Sequence, residues 1–244
     1  MNPKVSIVCM IYKSKTYLDF VIDSLLMNTD DDEYDEIIIL LNDATDELKE
    51  YVKQKVQKDM DYHKIKFVIN DNPNKNEYYM KRVYRGWNKT VEVATGDIIV
   101  MVNSDMVFSK HWLSNMIAHV TPEKAISARL IESGKMLSGL YGLSINCGRS
   151  PREFNETKFQ KLVEAVREQR LEEGGLYSPI AFYKKTFEKL GMYPNGNITL
   201  AHNTGKIEIP GDIIFWAIAK TKGILHYTSF SSVVYHIQEG EKDG

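Results

Sequence analysis

The chain has 244 residues, of which 43% are hydrophobic and 26% charged, with 31 Lys and Arg against 33 Asp and Glu. A chain of this length and composition can bury the core of one large α/β domain, which excludes disorder as the expected state. The near-neutral charge balance gives no electrostatic field that would draw the chain onto nucleic acid, so no nucleic-acid partner is expected.

The first half of the chain alternates short apolar runs with amphipathic stretches, which is typical of a parallel sheet flanked by helices. The predicted strands are residues 5–11, 36–41, 65–69 and 97–102, and the predicted helices are residues 15–27, 46–58 and 77–95. Strands that are apolar on both faces are expected to be covered by helices on both sides. The natural crevice for a ligand is then the edge where the strands have their carboxyl ends.

The pattern changes in the second half of the chain. Residues 110–120 predict a helix, residues 134–151 are rich in Gly and Ser, and a charged helix is predicted over residues 153–173. We expect an inserted, mobile region near residues 134–175 that closes over a substrate and excludes water. Residues 176–183 predict a strand, residues 212–222 a helix, and residues 233–236 a last strand.

Cysteine content and hydropathy bound the cellular setting. Cys9 and Cys147 provide neither a disulfide framework nor metal-ligand spacing, which is typical of reduced thiols. The apolar stretch 5–12 is too short for a signal-peptide core, and no segment approaches the roughly 20 apolar residues of a membrane span. The sequence therefore predicts a cytoplasmic protein without a membrane span.

Acidic side chains and one histidine follow the ends of predicted strands. Asp43 and Asp105 follow the second and fourth strands, Asp212 opens a late helix, and His236 ends the last strand. Carboxylates and imidazole at such positions can hold a divalent metal or accept a proton from a substrate. Taken one at a time, the aspartates are also explained as turn or N-cap residues, and the histidine as a structural residue. Their recurrence around one predicted sheet favours a functional site.

Four stretches, in this order and spacing, resemble the family 2 glycosyltransferases. They are residues 5–8 with Tyr12, residues 37–45, Asn88 with residues 96–99, and Asn103-Ser104-Asp105. The resemblance covers about the first 120 residues and resumes at residues 175–191 and 210–212. It implies a single GT-A domain over residues 1–244, with a Rossmann-like, mostly parallel sheet and helices on both faces. Residues 1–120 would be the nucleotide-binding half and residues 121–244 the acceptor-binding half.

The same resemblance implies a role for each candidate residue. The nucleotide would lie against Tyr12, Asp43, Asn88, Asn103 and Ser104. A divalent metal, Mn2+ or Mg2+, would be held by Asp105 and His236, and Asp212 would be the general base. The implied reaction moves a sugar with inversion from a nucleotide-sugar, with a UDP-sugar favoured, to a hydroxyl of a saccharide, lipid-linked or protein acceptor.

Two departures from the family's pattern leave a second function open. Asn42-Asp43-Ala44-Thr45 replaces the family's Asp-Asp-Gly-Ser turn, and Asn103-Ser104 replaces the first carboxylate of its DXD-type metal motif. With fewer anionic ligands, the chain can alternatively be a catalytically weak nucleotide- or glycan-binding scaffold subunit on the same fold. A nucleotidyltransferase and a Rossmann dehydrogenase are disfavoured, because residues 10–15 lack the glycines of a phosphate-binding loop.

Overall fold

The computed structural model describes residues 3–58, 62–72, 74, 76–202 and 205–241, and the first half of the chain forms the predicted elements. In chain order these are β1 (Val5–Ile11), α1 (Lys15–Asn28), β2 (Glu36–Asn42), α2 (Asp46–Lys58), β3 (Ile65–Asn70), α3 (Tyr79–Val93) and β4 (Ile98–Asn103). Each observed boundary lies close to the predicted one, because each strand is a continuous apolar run between polar turns.

The second half contains more strands than were predicted. The elements are β5 (Met106–Phe108), α4 (Trp112–Ile117), β6 (Lys124–Glu132), β7 (Leu143–Ser144), a 3-10 turn (Pro151–Glu153), α5 (Glu156–Val166), β8 (Leu171–Glu173), β9 (Ile180–Tyr183), α6 (Lys184–Lys189), β10 (Ile198–His202), β11 (Gly205–Ile209), α7 (Gly211–Thr221) and β12 (Leu225–His236). The charged helix predicted over residues 153–173 is wrong in extent. The helix ends at Val166, and β8 pairs antiparallel with β12.

The main sheet has the order β3-β2-β1-β4-β9-β6-β12-β5. Strands β1 to β4 are mutually parallel, and β9 is antiparallel to both β4 and β6. Two reversals restore the original direction, so β6 and β12 run the same way as β1. The carboxyl ends of β2, β4, β6 and β12 therefore lie along one edge of the sheet, which is where the sequence predicted a ligand site.

Two apolar layers cover the two faces of this sheet. Ile7 and Cys9 of β1 belong to the layer that contains residues of α1 and α2, whereas Val8 belongs to the layer that contains residues of α3 and α7. The alternation follows from the two-residue period of a strand. A Cβ at Gly86 would overlap Sδ of Met10 and lie 3.1 Å from Nδ2 of Asn42, so glycine lets α3 approach β1 and β2 closely. This close approach brings α3 over the carboxyl ends of β1 and β2.

Part of the inserted region packs against the sheet. Phe159 and Val163 of α5 and Cys147 are buried against Tyr235 of β12. The large apolar side chains of this region that stay exposed lie near its start, where Leu137 is 100% exposed. Closure of this region over a substrate stays a prediction. Among the described residues, no helix has the length and apolarity needed to cross a bilayer.

Candidate active site

A cleft of about 730 Å³ opens at the carboxyl edge of the sheet. Among the residues that line it are Tyr12, Asp43, Arg82, Asn103, Ser104, Asp105, His236 and Glu241. A second cavity of about 230 Å³ contains Asp212 and shares Val83, Trp87 and Asn103 with the cleft. The structure therefore brings Asp43, Asp105 and Asp212, which are far apart in sequence, to one region of the surface.

Asp43 is held rigidly at the end of β2. Its backbone has a φ of 57°, in the left-handed region that aspartate tolerates better than most residues. Its carboxylate accepts hydrogen bonds from the backbone N–H of Asn72 at 2.7 Å and from Nη1 of Arg82 at 2.8 Å. Burial acts to raise the pKa of Asp43, but the hydrogen bonds from Asn72 and Arg82 outweigh it and lower the pKa. The cleft thus presents an ionised Asp43–Arg82 pair.

Asp105 and His236 face each other across the turn between β4 and β5. Oδ2 of the nearly buried Asp105 lies 3.3 Å from Nε2 of His236. Burial acts to lower the pKa of His236, but the charges of Asp105 and Glu132 and their hydrogen bonds to its ring raise it to about 9. The reading of Asp105 as a helix N-cap is wrong, because β5 follows it and His111 precedes the next helix.

The Asp105–His236 pair fits a divalent cation. Two adjacent ligands of an octahedral ion with bonds of about 2.1 Å lie about 3.0 Å apart, close to the observed 3.3 Å. The carboxylate oxygen suits Mn2+ or Mg2+, whereas the imidazole nitrogen favours Mn2+ over the oxygen-selective Mg2+. Among the described residues, only Asp30, Glu33 and His111 form a group of three acidic, histidine or cysteine side chains close enough together to hold a metal ion. These do not line the cleft, so an ion on Asp105 and His236 would need oxygen ligands from a nucleotide or water.

Asp212 lies in the first turn of α7, and Tyr84 of α3 fixes its orientation. Its Oδ1 accepts a hydrogen bond from the hydroxyl of Tyr84 at 2.9 Å, and its backbone N–H donates to the same hydroxyl at 3.1 Å. Burial raises the pKa of Tyr84, which keeps the hydroxyl protonated as a donor. The N-cap position of α7 is occupied by Pro210, so Asp212 is not the cap that its sequence position also allowed.

The other predicted nucleotide-binding residues fall into two groups. Tyr12, Asn103 and Ser104 line the cleft. Asn88 is not among the lining residues, and its amide holds the backbone of Tyr193 through bonds of 2.9 and 3.0 Å. The structure therefore does not bring Asn88 together with the other candidates.

Residues near the C-terminus form one wall of the cleft, which the sequence did not predict. The carboxylate of Glu241 accepts hydrogen bonds from the backbone N–H groups of Tyr12, Lys13 and Ser14 at 2.7 to 2.8 Å. The hydroxyl of Ser104 donates to the same carboxylate at 3.2 Å. This cluster joins the start of α1 to a segment more than 220 residues later in the chain, and no local sequence pattern predicts such a contact.

Solved structures of nucleotide-sugar transferases share this fold. GalNAc-T7 with UDP, GalNAc and Mn2+ superposes with a TM-score of 0.67 and 12% identity, over 99% of this chain and 46% of that one. The mannosyltransferase PcManGT from Pyrobaculum calidifontis in complex with GDP-Man and Mn2+ gives 0.62 and 16%, over 100% and 59%. A structure of S. aureus TarS 1-349 gives 0.55 and 12%, over 96% and 60%. This chain thus spans about half the length of its structural neighbours.

These neighbours and the sheet order define the fold as that of the GT-A glycosyltransferases, as the sequence predicted. No curated protein sequence matches the chain. The family model described as Glycosyl transferase family 2 matches residues 6–185, which is well over half of the chain. The chain belongs to this family, and the predicted resemblance is confirmed.

Proposed function

We propose that this chain transfers a sugar from a nucleotide-sugar to an acceptor hydroxyl with inversion at the anomeric carbon. One observation carries the proposal: Asp43, Asp105 and His236 line one cleft, and Asp212 lies in the cavity that adjoins it. A donor can therefore span both spaces, with its nucleotide in the larger one and its sugar directed toward Asp212. Use of a nucleotide-sugar is further supported by the fold neighbours, one solved with UDP, GalNAc and Mn2+ and another with GDP-Man and Mn2+.

Different residues of the cleft would bind different parts of the donor. Asp43, fixed by Arg82, would accept hydrogen bonds from the base or ribose, and Tyr12 would pack against the nucleoside. Asp105 and His236 would hold Mn2+ or Mg2+, whose charge stabilises the departing diphosphate. Arg82 adds a fixed positive charge at the same cleft. A UDP-sugar is the donor we favour, and the acceptor is a saccharide, a lipid-linked saccharide or a protein.

Asp212 would accept the proton of the acceptor hydroxyl as its oxygen attacks the anomeric carbon. The bond from the sugar to the nucleoside diphosphate breaks on the opposite side, which inverts the configuration. Tyr84 fixes the carboxylate for this step, because its hydroxyl bonds both the side chain and the backbone of Asp212. The proton is transferred to Asp212, and the nucleoside diphosphate departs with the negative charge.

Ligand binding and turnover together test this function. A thermal-shift panel of nucleoside diphosphates, with and without Mn2+ or Mg2+, is expected to show one base that raises the melting temperature most, and more so with metal. With that donor, Asp212→Asn and Asp105→Ala are expected to lower sugar transfer or donor hydrolysis at least a hundredfold. If both variants bind nucleotide as expected and wild-type protein shows no turnover, the scaffold function replaces the enzymatic one. Unchanged turnover in both variants would refute the assigned roles.

A further inference from the structure

Glu132 is a buried carboxylate behind the cleft to which no sequence signal pointed. It is the last residue of β6 and is 3% exposed. The parallel register of β6 and β12 places it directly beside His236. Its Oε1 lies 3.2 Å from Nδ1 of His236, and the Nε2 amide of Gln238 donates to the same Oε1 at 2.9 Å. Asp105, His236 and Glu132 therefore form a continuous chain from the cleft into the core.

The contacts of Glu132 are unusual for a residue with only a structural role. Oε2 of Glu132 is buried and has no hydrogen-bond partner within the described part of the chain. A buried carboxylate oxygen without a donor is costly, and a glutamine at this position would avoid the charge. Gln238, by contrast, is well used, because its Oε1 accepts from the backbone of Lys135 at 3.1 Å. This bond fixes the amide that holds Glu132 in place.

We propose that Glu132 is the positioning residue of the metal site, accepting the Nδ1–H of His236 so that Nε2 is presented to a divalent cation beside Asp105. The inference rests on the proposed metal site, and it extends that site to a residue which does not touch the ion. A carboxylate that accepts from the far nitrogen of a metal-binding histidine fixes the ring and makes it a stronger donor.

The proposal also addresses the weak metal motif. In the family's pattern that the sequence resembles, a further carboxylate precedes Asp105, where this chain has Asn103 and Ser104. Glu132 supplies negative charge through the imidazole instead, while its own oxygens stay out of the cleft. The proposed site then has two protein ligands, Asp105 and His236, and a second carboxylate, that of Glu132, which contacts His236 and not the ion.

Direct measurement of Mn2+ affinity tests the role of Glu132. Mn2+ alone is titrated into each protein, and the free ion is followed by its electron paramagnetic resonance signal. Glu132→Ala is expected to weaken Mn2+ binding about tenfold or more, and Glu132→Gln by a smaller factor because its carbonyl can still accept from Nδ1. Ser127→Ala is the control, since Ser127 is a buried residue of the same strand whose hydroxyl bonds Nε2 of His226 at 2.7 Å, and neither residue lines the cleft. This variant is expected to bind Mn2+ as wild type does.

Wild-type affinity in Glu132→Ala, with reduced affinity in Asp105→Ala and His236→Ala, would overturn the proposal and leave the metal site standing. An equal loss in Ser127→Ala would also overturn it. If Asp105→Ala itself binds Mn2+ like wild type, the metal site of the proposed function is the part that fails.

Discussion

Tyr84 connects helix α3 to the proposed base, and its hydroxyl can be removed without changing the ring. Tyr84→Phe removes the donor at 2.9 Å from Oδ1 of Asp212 and the acceptor of its backbone N–H. The carboxylate then loses its fixed orientation, so we expect kcat to fall about tenfold to a hundredfold. The KM for the donor is expected to change little, because Tyr84 does not line the larger cleft. Steady-state kinetics with varied donor separate the two constants.

Tyr193→Phe is the matched control for this prediction. The ring of Tyr193 lies 5.5 Å from that of Tyr84 in an edge-on arrangement, within the same buried aromatic cluster. Its replacement removes a hydroxyl of the same kind from the same layer, but not one that bonds Asp212. Equal losses of kcat in the two variants would show that loosening of the cluster, rather than the bond to Asp212, limits the reaction.

At the scale of single residues, the sequence predicted the candidates that lie at strand ends. Asp43, Asp105 and His236 each lie within two residues of the end of a strand, and the common direction of the strands brings them to one cleft. Arg82 and Glu132 were missed for a different reason. Arg82 reaches the cleft because α3 packs closely over β2, and Glu132 meets His236 because of the pairing register of β6 and β12. Neither relationship is written in a local pattern.

At the scale of elements, the junction between β1 and α1 depends on Glu241. Its carboxylate accepts from the three consecutive backbone N–H groups of residues 12–14. Glu241→Ala is expected to speed hydrogen exchange at these amides about tenfold or more, because they lose an ionised acceptor. Glu241→Gln, which keeps one neutral acceptor, is expected to have a smaller effect. Hydrogen-exchange mass spectrometry of peptides that cover the junction measures both variants.

Glu239→Ala provides the control for the Glu241 variants. Glu239 lies in the same C-terminal segment and forms an ion pair with Lys135. The variant is expected to leave exchange at residues 12–14 unchanged. If it speeds exchange as much as Glu241→Ala does, the segment as a whole protects the junction and the carboxylate has no special part.

The errors in the predicted elements have two physical causes. The start of β12 was missed because its buried serines look polar, yet the hydroxyls of Ser229 and Ser232 bond backbone carbonyls of neighbouring residues. Hydrophobic periodicity cannot identify a strand whose buried positions are polar and satisfied in this way. The helix predicted over residues 153–173 is too long for a different reason. Its helical pattern continues past Val166, but residues 171–173 form a strand that pairs with β12. Tertiary pairing outweighs local propensity there.

At the scale of the whole molecule, Glu36 ties several strands of the sheet together. Its buried carboxylate accepts from Oγ of Ser6 at 2.6 Å and from the backbone N–H of Thr95 at 2.6 Å, and it pairs with Lys66. Burial acts to raise the pKa of Glu36, but the bonds from Lys66, Ser6 and Thr95 outweigh it and lower the pKa to about 2. Protonation therefore breaks contacts that hold β1, β2, β3 and the start of β4 in register.

The low pKa of Glu36 predicts how stability depends on pH. The unfolded chain binds this proton near pH 4.5 and the folded chain only near pH 2, so the stabilisation is complete above about pH 4.5 and is lost as the pH falls toward 2. Glu36→Gln is expected to lower the free energy of unfolding by up to about 3 kcal/mol at pH 7, and the difference from wild type should shrink between pH 5 and pH 3. Urea unfolding followed by circular dichroism at several pH values measures this difference. The exposed Glu50, changed to Gln, should give a curve parallel to that of wild type. A constant difference between Glu36→Gln and wild type from pH 7 to pH 3 would mean that the charge of Glu36 does not stabilise the sheet, and that its packing alone does.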